Sequence, residues 1–125
     1  MRQHAQENLI RYDPAARPRI VAFAREASAE FRARGGVFRA PSVMRGFASF
    51  NAATRTINLS RSEVADAKLA ALVEELIHFR QARRAGVFGQ PKGWLSRYSL
   101  PQWNRLSVAL EKDVDRQMRA MGFYE

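Results

Sequence analysis

Cysteine is absent from this 125-residue chain. That excludes a disulfide framework and every thiolate metal site, so any metal must be held by nitrogen and oxygen ligands. Histidine is scarce: His4 lies in a polar N-terminal stretch with no patterned neighbours, and His78 is the only interior one. Lysine occurs only at positions 68, 92 and 112, so the basic character belongs to arginine. No stretch approaches the roughly 20 apolar residues that a bilayer-spanning helix needs. Met1 to Arg11 lacks the apolar segment of a signal peptide, so no export signal is expected within this chain. There is no internal repeat, no low-complexity tract and no block of like charges. Gly35-Gly36 lacks the spacing of a phosphate-binding loop.

What is present bounds the class. The length fits one domain with a modest core, and 46% hydrophobic residues fit a soluble globular protein. The formal net charge is +9, from 21 Lys+Arg against 12 Asp+Glu. Such a balance attracts nucleic acid and other polyanions, or an acidic protein partner. The plainer reading, that scattered arginines solvate helix faces in an arginine-rich proteome, is favoured here.

The pattern along the chain predicts an α+β fold with three main helices and a small antiparallel sheet. Residues 1–13 read as a flexible lead-in and 14–125 as a single domain. Asp13-Pro14 suits a helix start, and Ile20, Val21, Phe23, Ala24, Ala27 and Phe31 recur at helical spacing as far as Arg34, before Gly35-Gly36. Val37 to Ala40 reads as a short strand ended by Pro41. Residues 47–50 and 54–59 alternate apolar and polar about a turn at 51–54, which predicts a hairpin. Ser60, Ser62 and Asp66 offer caps for a helix over 67–85 that stops at Gly86. A loop follows, with Trp94 and Tyr98 among its aromatics, and Pro101 opens a last helix that ends near Met121 at Gly122.

The 67–85 helix carries the chemistry. Its centre reads Val73-Glu74-Glu75-Leu76-Ile77-His78-Phe79-Arg80-Gln81. Residues four apart on a helix lie one above the other, so Glu74 and His78 share a face, and Glu75 borders it. Three polar groups among Leu72, Leu76 and Ile77 need partners, because burying them alone is costly. One metal ion or one water suits all three. A bland reading stands beside this one: Glu-x-x-His on a helix is often just an ion pair or a buried hydrogen-bonded pair. A diiron bundle would need a second such motif, which is absent. Gln81, one turn past His78, either orients the histidine or faces solvent. Trp94, Tyr98 and Trp103 either line a groove or anchor the core.

The stretch Phe50 to Ser60 followed by Leu72-Val73-Glu74-Glu75-Leu76-Ile77-His78 resembles the zincin metallopeptidases, in which an edge strand feeds an H-E-x-x-H helix. Glu74 stands at the place of the first metal-binding histidine, Glu75 at the catalytic glutamate and His78 at the second histidine. The match is closest to the small zincin-like metallopeptidase domains at the C-termini of bacterial polymorphic toxins, some of which look to carry glutamate at that first position. The resemblance spans about residues 37–121, but its sharp part is five residues long.

The resemblance implies a metal-dependent, peptidase-like hydrolase. Glu74 and His78 would supply two ligands to zinc or another divalent metal, and Glu75 would be the general base on the metal-bound water. Zincins of the glutamate type take a third ligand from a later helix. Glu111 is the best candidate, with Asp115 one turn on as the alternate and Asp113 pointing elsewhere. An extra carboxylate makes the metal a weaker Lewis acid. The family also implies a peptide or protein substrate, an acidic immunity protein as partner, and delivery within a larger secreted protein to act in a target-cell cytoplasm. The alternative, from basicity, is a nucleic-acid-binding or nuclease-type toxin module. In it the Glu/His cluster is structural or binds a metal for phosphodiester cleavage.

Overall fold

The structure, a computed structural model, describes residues 9–41, 48–60 and 65–125. Chain order runs β1 (Arg11–Tyr12), a 3-10 turn (Pro14–Ala16), α1 (Arg17–Ala33), β2 (Val37–Arg39), β3 (Ala48–Asn51) and β4 (Thr56–Leu59). Then come α2 (Ala65–Arg84), a 3-10 turn (Gly93–Ser96), α3 (Leu100–Met121) and β5 (Phe123–Tyr124). This is the α+β fold with three main helices that the periodicity predicts.

Local chemistry accounts for the ends of these elements. The Asp13 side chain accepts from the Ala15 N–H at 3.0 Å, and Pro14 fits the first turn where no N–H is needed. Ile20, Ala24, Ala27 and Phe31 then form the buried stripe of α1. Beyond its end the backbone of Gly36 presses on Phe31: a Cβ there would stand 2.5 Å from the ring carbons. α3 begins at a reciprocal cap, in which Ser99 Oγ accepts from the Gln102 N–H and Gln102 Oε1 accepts from the Ser99 N–H. It ends at Gly122, whose φ of 114° suits a residue without a side chain.

Two small sheets complete the frame. β3 and β4 form the expected antiparallel hairpin, with the turn at 52–55 and Asn51 Oδ1 accepting from the Thr54 N–H. Strand pairing therefore starts at Thr56, two residues later than the alternation suggests. β2 joins β4 in parallel, so this sheet is mixed, with order β2-β4-β3. Among the described residues, β4 is its central strand. The strand that feeds α2 is thus not an edge strand, because β2 covers the side that an edge would leave open.

The lead-in expected over 1–13 gives way to packed chain before its end. Leu9 is fully buried in the core, and β1 pairs with β5 at the other end of the chain. These partners, Arg11 with Tyr124 and Tyr12 with Phe123, come from opposite ends of the chain, which hides the pairing from local pattern. Residues 1–8, Phe47 and Ser62 lie outside the described residues. Asp66 sits within the first turn of α2, where its carboxylate accepts from Tyr12 Oη at 2.6 Å.

α2 is the centre of the molecule. Ala70, Ala71, Val73, Leu76, Ile77, Phe79 and Ala82 are all buried, which takes in every side of the helix. A helix buried all round needs cover all round. α1, the β3–β4 hairpin and α3 supply it. Phe31 meets Phe79 edge-on at 5.2 Å, and Phe79 meets Phe88 at 4.9 Å, joining α1, α2 and the following loop in one aromatic core.

Candidate metal centre

α2 also buries charge. Glu74 is fully buried, Glu75 is 1% exposed and Gln81 is 6% exposed. His78 and Glu111 retain 15% and 20% of their side-chain surface, so the cluster opens toward solvent on the side of this pair. Such groups survive inside a core only when their charges and hydrogen bonds are answered.

Across the helix–helix contact, Glu111 supplies the acid that faces His78. α3 buries Val114 and Met118 and half-buries Leu110. Glu111 falls on one shoulder of this stripe and is thereby held against α2. One carboxylate oxygen from Glu74, one ring nitrogen of His78 and one carboxylate oxygen of Glu111 all lie within 4.8 Å of one another. His78 Nε2 stands 3.3 Å from Glu111 Oε1. Two ligands about 2.1 Å from a tetrahedral ion are roughly 3.4 Å apart, so that pair already stands at ligand spacing. Two carboxylates and one imidazole are a donor set for zinc, and equally for iron or manganese.

The other residues singled out from the sequence fall in different places. Glu75 is buried on α2, three residues before His78, and is not one of the three converging donors. Asp115 turns to the surface, where its carboxylate accepts from Arg119 Nε at 2.8 Å. Trp94 stacks on Trp103 at 4.9 Å with Tyr98 alongside, which ties the loop to the start of α3. His4 lies outside the described residues.

Gln81 does not face solvent. Its Oε1 lies 2.9 Å from His78 Nδ1, and its Nε2 donates to Leu110 O and to Asp113 Oδ2, each at 3.0 Å. Asp113 also accepts from Gln117 Nε2 at 2.8 Å and from Arg116. Burial alone would raise the Asp113 carboxyl. The hydrogen bonds from Gln81, Gln117 and Arg116, with the charge of Arg116, outweigh burial and hold it below its ordinary value. Asp113 is thus an ionised anchor behind the histidine. Asp113 lies two residues from Glu111, about 200° round the helix, so the sequence turns it away from the cluster, to be solvated or paired, and does not name Gln81 as its partner. It sits on the opposite shoulder of the same buried stripe, and Gln81 bridges the gap. A glutamine one turn beyond the histidine was the only signal.

No protein-family model, curated protein or solved structure matches this chain.

Proposed function

We propose that Glu74, His78 and Glu111 hold a divalent cation, zinc being the first candidate, and that the chain is a metal-dependent, peptidase-like hydrolase. The observation that carries this reading is that one imidazole and two carboxylates from two helices lie within 4.8 Å of one another at the edge of the core. An ion pair alone needs one acid; here a second, Glu74, is fully buried beside the pair. A cation would take both carboxylates and the imidazole as ligands.

A cation held there by Glu74, His78 and Glu111 would act as a Lewis acid and would lower the pKa of water toward neutrality. The chain's residues do the rest. Glu75 follows Glu74 directly and lies one turn before His78, so it is our candidate for the base that takes a proton from the attacking water. Gln81 and Asp113 orient the histidine. The substrate is a peptide or protein. In this reading the module is a bacterial toxin or effector that reaches a target-cell cytoplasm within a larger secreted protein and is neutralised by an acidic immunity protein. Among the described residues, no helix is long and apolar enough to cross a membrane.

A nucleic-acid-directed module is the second reading, and the +9 net charge favours it. A surface depression of about 460 Å³ is lined by Arg80, Arg83 and Arg84. Glu30 also lines it and binds both Arg80 and Arg83, which cancels part of that positive field.

Metal analysis of purified wild type, Glu74→Gln, His78→Ala and Glu111→Gln tests the site. Wild type should carry or take up one equivalent of zinc, and each variant should lose it. A folded wild type that binds no divalent metal overturns the reading. Cleavage of peptide but not of DNA or RNA by the loaded protein separates the two functions.

A further inference from the structure

We propose that Gln81 and Asp113 are positioning residues which hold the His78 imidazole with its proton on Nδ1, so that Nε2 is presented to the cation as a bare lone pair. This rests on the metal-binding reading of Glu74, His78 and Glu111, but the tautomer is measured independently of any metal.

The polarity of the network dictates the assignment. Gln81 Nε2 faces two atoms that only accept, the Leu110 carbonyl oxygen and the Asp113 carboxylate, each at 3.0 Å. Turning the amide over would set its oxygen against both of them. The amide orientation is therefore fixed from the α3 side. Its oxygen is left facing His78 Nδ1 at 2.9 Å, and an amide oxygen can only accept. Nδ1 must be the protonated nitrogen. The other ring nitrogen, Nε2, points to Glu111 Oε1 at 3.3 Å, a longer contact than that at Nδ1; a carboxylate also only accepts, so a cation between the two would take the place of a proton there.

The anchor is itself secured. Asp113 takes hydrogen bonds from Gln117 and Arg116 as well as from Gln81, so its acceptor oxygens are held in place. Gln81 is 6% exposed, which keeps water from replacing its oxygen as the Nδ1 acceptor. The chain Asp113–Gln81–His78 does for this histidine what a directly bonded carboxylate or carbonyl does for many metal-binding histidines: it selects the tautomer, orients the ring and raises the basicity of Nε2. The intervening amide lets an acid on the far shoulder of α3 reach the ring without bringing a third carboxylate into the cluster.

The test is nitrogen-resolved NMR of the imidazole in metal-free protein at alkaline pH, in a His4→Gln background that leaves one histidine. Wild type should show the Nδ1–H form with an unprotonated Nε2. Gln81→Leu should shift the ring toward Nε2–H and weaken zinc binding by roughly 10–100-fold. Asp113→Asn retains an acceptor oxygen and should lose less. An Nε2–H ring in wild type overturns the proposal, even if Gln81→Leu fails to fold. So does a tautomer that Gln81→Leu leaves unchanged. An Nδ1–H ring that Gln81→Leu abolishes, in a protein that takes up no zinc, sustains the relay and overturns the metal site instead.

Discussion

Glu74 and Glu75 are neighbours in the chain and both buried, yet only Glu74 joins the converging donors. Adjacent residues on a helix point about 100° apart, so two adjacent carboxylates are suited to separate tasks. In our reading Glu74 holds charge and Glu75 moves a proton. Glu75→Gln is nearly isosteric but cannot accept a proton. It should lower hydrolysis of a peptide substrate by about 10²–10⁴-fold. Circular dichroism and metal content should match wild type. If hydrolysis, or toxicity in a bacterial host, persists in this variant, Glu75 is not the base. At this scale the Glu74–His78 spacing was legible, because four residues make one turn. Asp113 was not, because its link to the histidine passes through a residue of another helix.

Between elements, one hydrogen bond joins the N-terminal segment to the central helix. Tyr12 of β1 donates to Asp66 of α2 at 2.6 Å, and this bond, followed by desolvation, raises the Tyr12 hydroxyl above its ordinary 10.0. The folded state therefore favours the protonated phenol. The stability this contributes is complete below the ordinary value and is lost as pH rises through the higher folded one. Tyr12→Phe should cost about 1 kcal/mol at neutral pH. The gap between wild type and variant should close in strongly alkaline solution, as chemical denaturation across pH would record. A gap that stays constant across pH would mean that the bond to Asp66 does not hold the Tyr12 hydroxyl in its protonated form.

For the whole molecule, a bound cation couples the site to folding, because only the folded chain brings α2 and α3 together. Zinc at a hundred times its dissociation constant should stabilise the protein by about 2.7 kcal/mol. Thermal melts should show a rise that a chelator reverses, and His78→Ala should show none. Equal rises in both would mean that the metal binds elsewhere on the surface. The net charge of +9 is a property at the same scale. It governs long-range attraction and says little about the interior, where, among the described residues, the most buried acidic side chains are Glu74 and Glu75.

The sequence by itself determined the helices, the ends at Asp13 and Gly122 and the shared face of Glu74 and His78. Those depend on spacing and on side chains close to their own backbone. It also marked Glu111 as a partner acid on a later helix, though only by analogy with a family pattern. Tertiary structure decided the rest. It set β2 in parallel beside β4, paired β1 with β5, drew Leu9 into the core, turned Asp115 outward to Arg119 and bound Asp113 to Gln81. The physical reason is reach. Periodicity reports which face of an element is apolar, whereas pairing across a sheet and contact across two helices depend on how those faces are brought together.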